Sequence, residues 1–270
     1  MKTRIISGIV MGAIVAVALA LGIMFSDWFV TGFMAIIAAI GSYELLGNAA
    51  GIKSKAAIIG AFIYTAAAVA VKGGNVAVLD GNLPLFLGIA FFLYAVVIIL
   101  KNHKDFGLAQ IVTFCAMPII LAFAFSFLGF IINADKKLYY LVLLFNFASI
   151  CDMGAYFVGV TMGKHKLCPN FSPKKTVEGA IGGIVSAMIF AVIFCLLFGH
   201  GDKLVPTDIV TIPLCIVGML GDLFASAIKR SVNLKDYGNL IPGHGGVLDR
   251  VDSMLLIAPV LYALVVVGVI

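Results

Sequence analysis

The sequence predicts an all-α, polytopic integral membrane protein of about nine transmembrane helices with a cytoplasmic N-terminus, on three observations. Of its 270 residues 63% are hydrophobic and 11% charged, and the mean hydropathy is +1.16, whereas a soluble domain carries roughly 25% charged residues. The charges stand in clusters, and the uncharged runs between them approach the length a helix needs to cross a hydrocarbon core about 30 Å thick. No run shows the alternation of a barrel strand, and backbone in lipid must satisfy its own hydrogen bonds, so helices carry the spans. A water-soluble globule and a disordered chain are both excluded.

Nine segments approach the required length: 6–25, 28–46, 56–71, 84–100, 111–132, 138–160, 180–198, 209–228 and 254–270. The first follows Lys2 and Arg4 and holds Ala18-Leu19-Ala20, features shared with secretory signals. Its apolar run exceeds the usual signal core of about 7–15 residues, so it reads as an uncleaved span. The third, 56–71, is short for a full crossing.

Orientation follows from the Lys/Arg bias of alternate loops. With the N-terminus in the cytoplasm, 14 of the 18 basic residues fall inside, leaving only Lys72, Lys136, Lys137 and Lys203 outside. That asymmetry supports an odd number of spans and an extracytoplasmic C-terminus. The chain divides into an N-terminal region, 1–137, of about five spans, and a C-terminal catalytic region, 138–270, with cytoplasmic loops 161–179 and 229–253. Those two loops hold eight of the 14 inside charges and are rich in Gly, Pro, Ser and Asn, which suit irregular backbone with exposed amides. No internal repeat supports an inverted-repeat transporter. The five cysteines show no paired spacing and mostly sit in apolar runs, as small hydrophobes with free thiols.

Acidic residues inside apolar spans carry the sharpest signal, because a carboxylate at bilayer depth costs several kcal/mol unless paired, hydrated or bound to a cation. Glu44, Asp152 and Asp222 qualify. Glu44 stands near a span end and reads as a snorkelling or helix-pairing residue with no catalytic role. Asp222 and Asp152 lie about 9 and 12 Å from the cytoplasmic ends of their helices, close enough to share one cavity.

From Asp222 a helix carries Ser226 and Lys229 on the same face, with Arg230 beside them. The following stretch, Gly238-Asn239-Leu240-Ile241-Pro242-Gly243-His244-Gly245-Gly246, cannot hold a regular helix, and its glycines let backbone amides approach an anion. It leads to Asp249, Arg250 and Asp252, the two aspartates sharing a helical face. Carboxylates point to a hard cation such as Mg²⁺, and Lys229, Arg230, Lys235 and Arg250 point to phosphate. Together they describe phosphoryl or nucleotidyl transfer.

The other loop offers Phe171-Ser172-Pro173-Lys174-Lys175-Thr176-Val177-Glu178-Gly179 before a helix expected near Ala180. Ser172, Thr176, Lys174, Lys175 and the helix amides would favour a phosphate, although two lysines before a span also follow from the positive-inside rule. No Walker-type phosphate loop occurs.

The unbroken run of 27 residues from Ser226 to Asp252 resembles the signature of CDP-diacylglycerol synthases, the phosphatidate cytidylyltransferase family. Asp152-Met-Gly-Ala-Tyr156 and Ser172 to Gly179 also resemble that family; the first half carries no comparable motif. The resemblance implies transfer of CMP from CTP to phosphatidate, giving CDP-diacylglycerol and pyrophosphate in phospholipid biosynthesis at the cell membrane, with the site facing the cytoplasm. It implies Mg²⁺ and a second, monovalent cation such as K⁺, a homodimer amid membrane lipids, and no nucleic-acid partner. By position Asp222 and Asp249 match the family's metal-binding aspartates. On the residues' own chemistry Asp152 and Asp252 are further candidates at the metal. Lys229, Arg230, Lys235 and Arg250 are phosphate contacts near Ser226, and Ser172 to Glu178, including Lys174, Lys175 and Thr176, form a nucleotide clamp. His244 reads either as a phosphate donor or as a loop-packing residue.

Two rival readings differ in chemistry. A cation-coupled transporter would use Asp152 and Asp222 as ion ligands, and a polyprenol or phytol kinase would transfer the γ-phosphate rather than the nucleotidyl group.

Overall fold

The computed structural model describes residues 2–73, 82–132, 136–169 and 172–270. Each expected span coincides with helical structure, and several helices run past the apolar segment into charged residues, as α1 does at Lys2, α3 at Lys55 and α9 at Lys229 and Arg230. In order they are α1 (Lys2–Met24), α2 (Trp28–Tyr43), α3 (Lys55–Gly73), α4 (Leu83–Lys101), α5 (Leu108–Ile132), α6 (Lys137–Phe145), α7 (Cys151–Met162), α8 (Val177–Leu197), α9 (Leu204–Ser231) and α10 (Leu248–Val266). A π-helical segment, Glu44–Ala49, extends α2, and another, Asn146–Ile150, joins α6 to α7 without a break. Such widened turns change which side chains share a face and occur often at functional positions.

Among the described residues six helices are long and apolar enough to cross a membrane: Trp28–Ala49, Leu83–Lys101, Leu108–Ile131, Leu138–Met162, Val177–Leu197 and Gly201–Ser231. The first and third helices contribute shorter apolar stretches, Val10–Gly22 and Lys55–Val71. Length and composition therefore establish several crossings but do not by themselves reach nine.

The packing is that of a protein whose solvent is lipid. On α8, Ile181, Val185, Ile189 and Ile193 form an exposed stripe, while Gly183, Ala187 and Ala191 are buried. Large apolar side chains face outward and small ones face protein, since helices in lipid associate through close backbone approach. At Gly183 an added Cβ would lie 2.6 Å from the Cys151 carbonyl oxygen, so α7 and α8 approach to a distance only glycine permits.

The chain forms two compact units. The first comprises 1–134 with 232–251, and the second 135–231 with 252–270. In the first, α2 packs on α1, α3 and α5, and α3 also on α4. Its interior includes stacked Tyr64 and Phe91 with centroids 4.3 Å apart, and Phe114 edge-on to Phe91. In the second, α8 lies between α7 and α9, and buried Asn146 donates to the Ala187 carbonyl at 3.0 Å.

The two signature loops are more ordered than their composition suggests. Residues Lys166–Cys168 (β1) and Ser172–Thr176 (β2) form an antiparallel hairpin, where irregular backbone was expected. Helix α8 then starts at Val177 rather than near Ala180, because Thr176 supplies its N-cap and accepts from the Gly179 N–H at 3.1 Å. Helix α9 includes Lys229 and Arg230, and α10 includes Asp249, Arg250 and Asp252, which shortens the second loop to 232–247. Phe171, first residue of the hairpin motif, lies outside the described residues. The five cysteines are free thiols.

Candidate active site

In the second unit a cavity of about 410 Å³ is bounded by α7, the hairpin, the start of α8 and α9. Asp152 and Asp222 both line it, as the depth of the two acids in their helices predicts. Lys166, Lys174 and Lys175 line it from the hairpin. Lys175 reaches across to form an ion pair with the Asp222 carboxylate, and Ser226 donates to the other Asp222 oxygen at 3.4 Å. A cationic group thus already occupies the place beside Asp222, and about three quarters of each partner's side chain is buried. One helical turn beyond Ser226, Lys229 is buried with its ammonium 3.9 Å from the Asp252 carboxylate. Arg230, next along, is exposed.

The clamp residues divide by role. Lys174 and Lys175 are cavity residues, and Ser172 is half-buried at the start of β2. Thr176 lines the cavity but commits its hydroxyl oxygen to the α8 cap. Glu178 accepts from the backbone N–H groups of Lys164 and His165 at 3.0 and 3.1 Å and pairs with the His165 ring. Its carboxylate ties the end of α7 to the start of α8, and nothing in the sequence pattern alone marked that function.

In the first unit the glycine-rich loop and the first turn of α10 surround an open cup of about 630 Å³. Lys235, Asn239, His244 and Arg250 line it together with Asp236. Ile241 donates to Gly245, and Gly245 and His244 donate back to the Ile241 carbonyl at 3.1 and 2.9 Å. This tight turn requires φ of +88° at Gly245, where a side chain would be strained. The His244 ring nitrogen Nδ1 is 2.7 Å from the Ser7 hydroxyl of α1, so one edge of the ring packs the loop while the residue still borders the cup.

Asp249 is buried, and one carboxylate oxygen accepts from the Tyr237 and Gly246 N–H groups at 2.7 and 3.0 Å. Beside it, Glu44 is only 2% exposed and accepts from Val247 and Leu248 at 3.0 and 2.9 Å. Asn48, on the same π-helical segment, donates to the Tyr237 carbonyl at 2.7 Å. Glu44 therefore does not snorkel; it is bound to the loop. Its isolation as an acid in an apolar span was the available signal, but Asn48 carried none.

Among the described residues no group of three or more His, Cys, Asp or Glu side chains converges as a metal cage. Two carboxylates beside lysines in one cavity, a separate cup lined by Lys235, His244 and Arg250, and several long apolar helices define a multi-pass membrane protein with polar sites set into it. The chain belongs to the cytidylyltransferase family, whose sequence pattern matches residues 2–267. It is 36% identical over 190 residues, 69% of this chain and 70% of the other, to a phosphatidate cytidylyltransferase of Staphylococcus saprophyticus. A phosphatidate cytidylyltransferase of Bacillus subtilis is 38% identical over 186 residues, 68% of this chain and 67% of its own length. One from Staphylococcus haemolyticus is 35% identical over 185 residues, 68% of this chain and 70% of its own.

Proposed function

We propose that this protein is a phosphatidate cytidylyltransferase, transferring CMP from CTP to phosphatidate with release of pyrophosphate. The observation that carries the reading is the cavity in which Asp152 and Asp222 face three hairpin lysines inside an apolar helical unit. Family membership and relatives of that name support it.

A phosphate oxygen of phosphatidate attacks the α-phosphorus of CTP, and the bond to the pyrophosphate oxygen breaks. The attacking phosphate is already ionised, so no base is required, and catalysis rests on alignment and charge neutralisation. Lys174 and Lys175 present ammonium groups to the polyphosphate. Lys229, Arg230, Lys235 and Arg250 contact phosphates of the two substrates, with Ser226 and His244 as further donors. Ser172, Thr176 and Glu178 shape the nucleotide clamp, Thr176 by capping α8 and Glu178 by tying the end of α7 to the start of α8.

Mg²⁺ fits the donor set, since it binds through one or two carboxylates and completes its shell with water and substrate phosphates. When bound it supplies Lewis-acid neutralisation of charge on the transferring phosphate. Asp222 would hold it, with Asp152 lining the same cavity. The family resemblance adds Asp249 as a ligand, Asp252 as support, K⁺ as a second cation and a homodimer. Nine spans, a cytoplasmic N-terminus and a cytoplasm-facing site complete the reading, which places CTP and the lipid headgroup on the same side.

The test supplies purified protein with CTP, Mg²⁺ and phosphatidate in mixed micelles. Equimolar CDP-diacylglycerol and pyrophosphate are expected. Equal product with diacylglycerol in place of phosphatidate would overturn the proposal, because diacylglycerol lacks the attacking phosphate.

A further inference from the structure

We infer that Glu44, on a helix far from the signature in sequence, is a positioning residue that sets the shape of the glycine-rich cup. The inference rests on the cytidylyltransferase reading for the cup's role, and on geometry for its mechanism. Helix α10 begins at Leu248, and its first N–H groups have no partners within the helix. The Glu44 carboxylate supplies partners from another helix, one oxygen for Val247 and the other for Leu248. A negative charge there also complements the positive end of the helix dipole.

The surroundings show that this seat is specific. An added Cβ at Gly238 would stand 2.4 Å from a Glu44 oxygen, and one at Gly246 would stand 2.6 and 2.7 Å from both. The two glycines therefore close over the carboxylate from the two ends of the loop. Asn48 fixes the loop a third time through the Tyr237 carbonyl. Glu44 touches the loop backbone and the start of α10; Lys235 and His244 line the cup from the loop and Arg250 from the first turn of α10. It acts through them.

Burying a carboxylate is costly, and an amide of the same shape would be cheaper to bury. Glu44→Gln retains one acceptor but turns an NH₂ donor toward a second N–H donor. Hydrogen bonds to a charged group are roughly twice as strong as neutral ones, and this variant loses the charge at both.

The experiment compares the full-length wild-type protein with Glu44→Gln and Glu44→Asp. Amide hydrogen exchange without substrates should accelerate at least 10-fold over 238–249 in Glu44→Gln, and remain unchanged over the hairpin at 166–176. In the folded fraction the KM for CTP should rise about 10-fold with a smaller fall in kcat, and Glu44→Asp should recover part of both. A residue that merely supports the fold would lower the folded fraction while leaving KM and local exchange as in wild type, and that result overturns the inference. If Glu44→Gln does not fold, Gly238→Ala displaces the same carboxylate without removing its charge. It should then reproduce the local exchange and the KM change, and wild-type values in it would also overturn the inference. Exchange needs no turnover, so absence of CMP transfer by the wild-type protein would refute the activity reading alone.

Discussion

Replacing Asp222 by Asn preserves side-chain shape and removes one charge from a cavity whose charge inventory is known. Two carboxylates, Asp152 and Asp222, face Lys166, Lys174 and Lys175 there. The substitution removes a carboxylate and leaves the lysines of the lining in place, against binding of a divalent cation. A divalent ion about 4 Å from a carboxylate in a medium of effective dielectric about 20 gains about 8 kcal/mol. If ion hydration offsets two thirds of this, about 2.7 kcal/mol remains, which is a 100-fold loss of Mg²⁺ affinity, read as a 100-fold rise in the Mg²⁺ concentration for half-maximal rate. Stability should move the other way from an unpaired buried acid. Lys175 is the partner of Asp222, so the amide takes away the ammonium's ion-pair partner, with Asp152 remaining on the same cavity, and costs about 1 kcal/mol. The assay is CMP transfer against Mg²⁺ concentration in detergent, with thermal unfolding of the metal-free protein alongside. Lys175→Gln is the companion. It should cost similar stability without raising the Mg²⁺ concentration needed for half-maximal rate. Exposed Asp105, on the turn between α4 and α5, should tolerate Asn with unchanged rate. An unchanged Mg²⁺ requirement in Asp222→Asn would refute the Mg²⁺ assignment, and so would its unfolding, which would make the carboxylate a member of a structural ion-pair network.

Three further outcomes follow from the same geometry. Thr176→Ala removes the α8 cap and should cost about 1 kcal/mol of stability, measured by thermal unfolding, whereas Thr176→Ser should retain most of it. Gly183→Ala places a methyl 2.6 Å from the Cys151 carbonyl. It should destabilise the protein by about 1–3 kcal/mol, because α7 and α8 must separate. His103→Cys, on the exposed turn between α4 and α5 in a variant lacking the native cysteines, should react with an impermeant thiol reagent only from the cytoplasmic face. Labelling of intact cells from outside would reverse the proposed topology.

Hydropathy made the helices legible, since each apolar run between charge clusters became one. It misplaced their ends, because capping and ion pairing extend helices past the apolar stretch, as at Lys229 and Arg230 in α9. Charge at depth also located the cavity: Asp152 and Asp222 were separable from ordinary core residues by the cost of burying a carboxylate, and both line it. The hairpin was hidden because Ser172-Pro-Lys-Lys-Thr176 has the composition of a turn, and its pairing with Lys166–Cys168 depends on backbone partners rather than on side-chain pattern. Glu44 was visible as an intramembrane acid, but its partners are backbone N–H groups about 200 positions away. Backbone donors leave no mark in a sequence, so its link to the loop was not readable. Thr176 and Glu178 show the same limit, since their oxygens hold the protein's own amides.

The central claim is that this family member transfers the nucleotidyl group of CTP to a lipid phosphate. It is tested most directly with CTP carrying distinguishable labels at the α- and γ-phosphates, given to the purified protein with phosphatidate and Mg²⁺. The α-label should enter the lipid while the γ-label leaves as pyrophosphate, and a chelator should abolish both. Entry of the γ-label into lipid, or α-labelling that does not require phosphatidate, would contradict it.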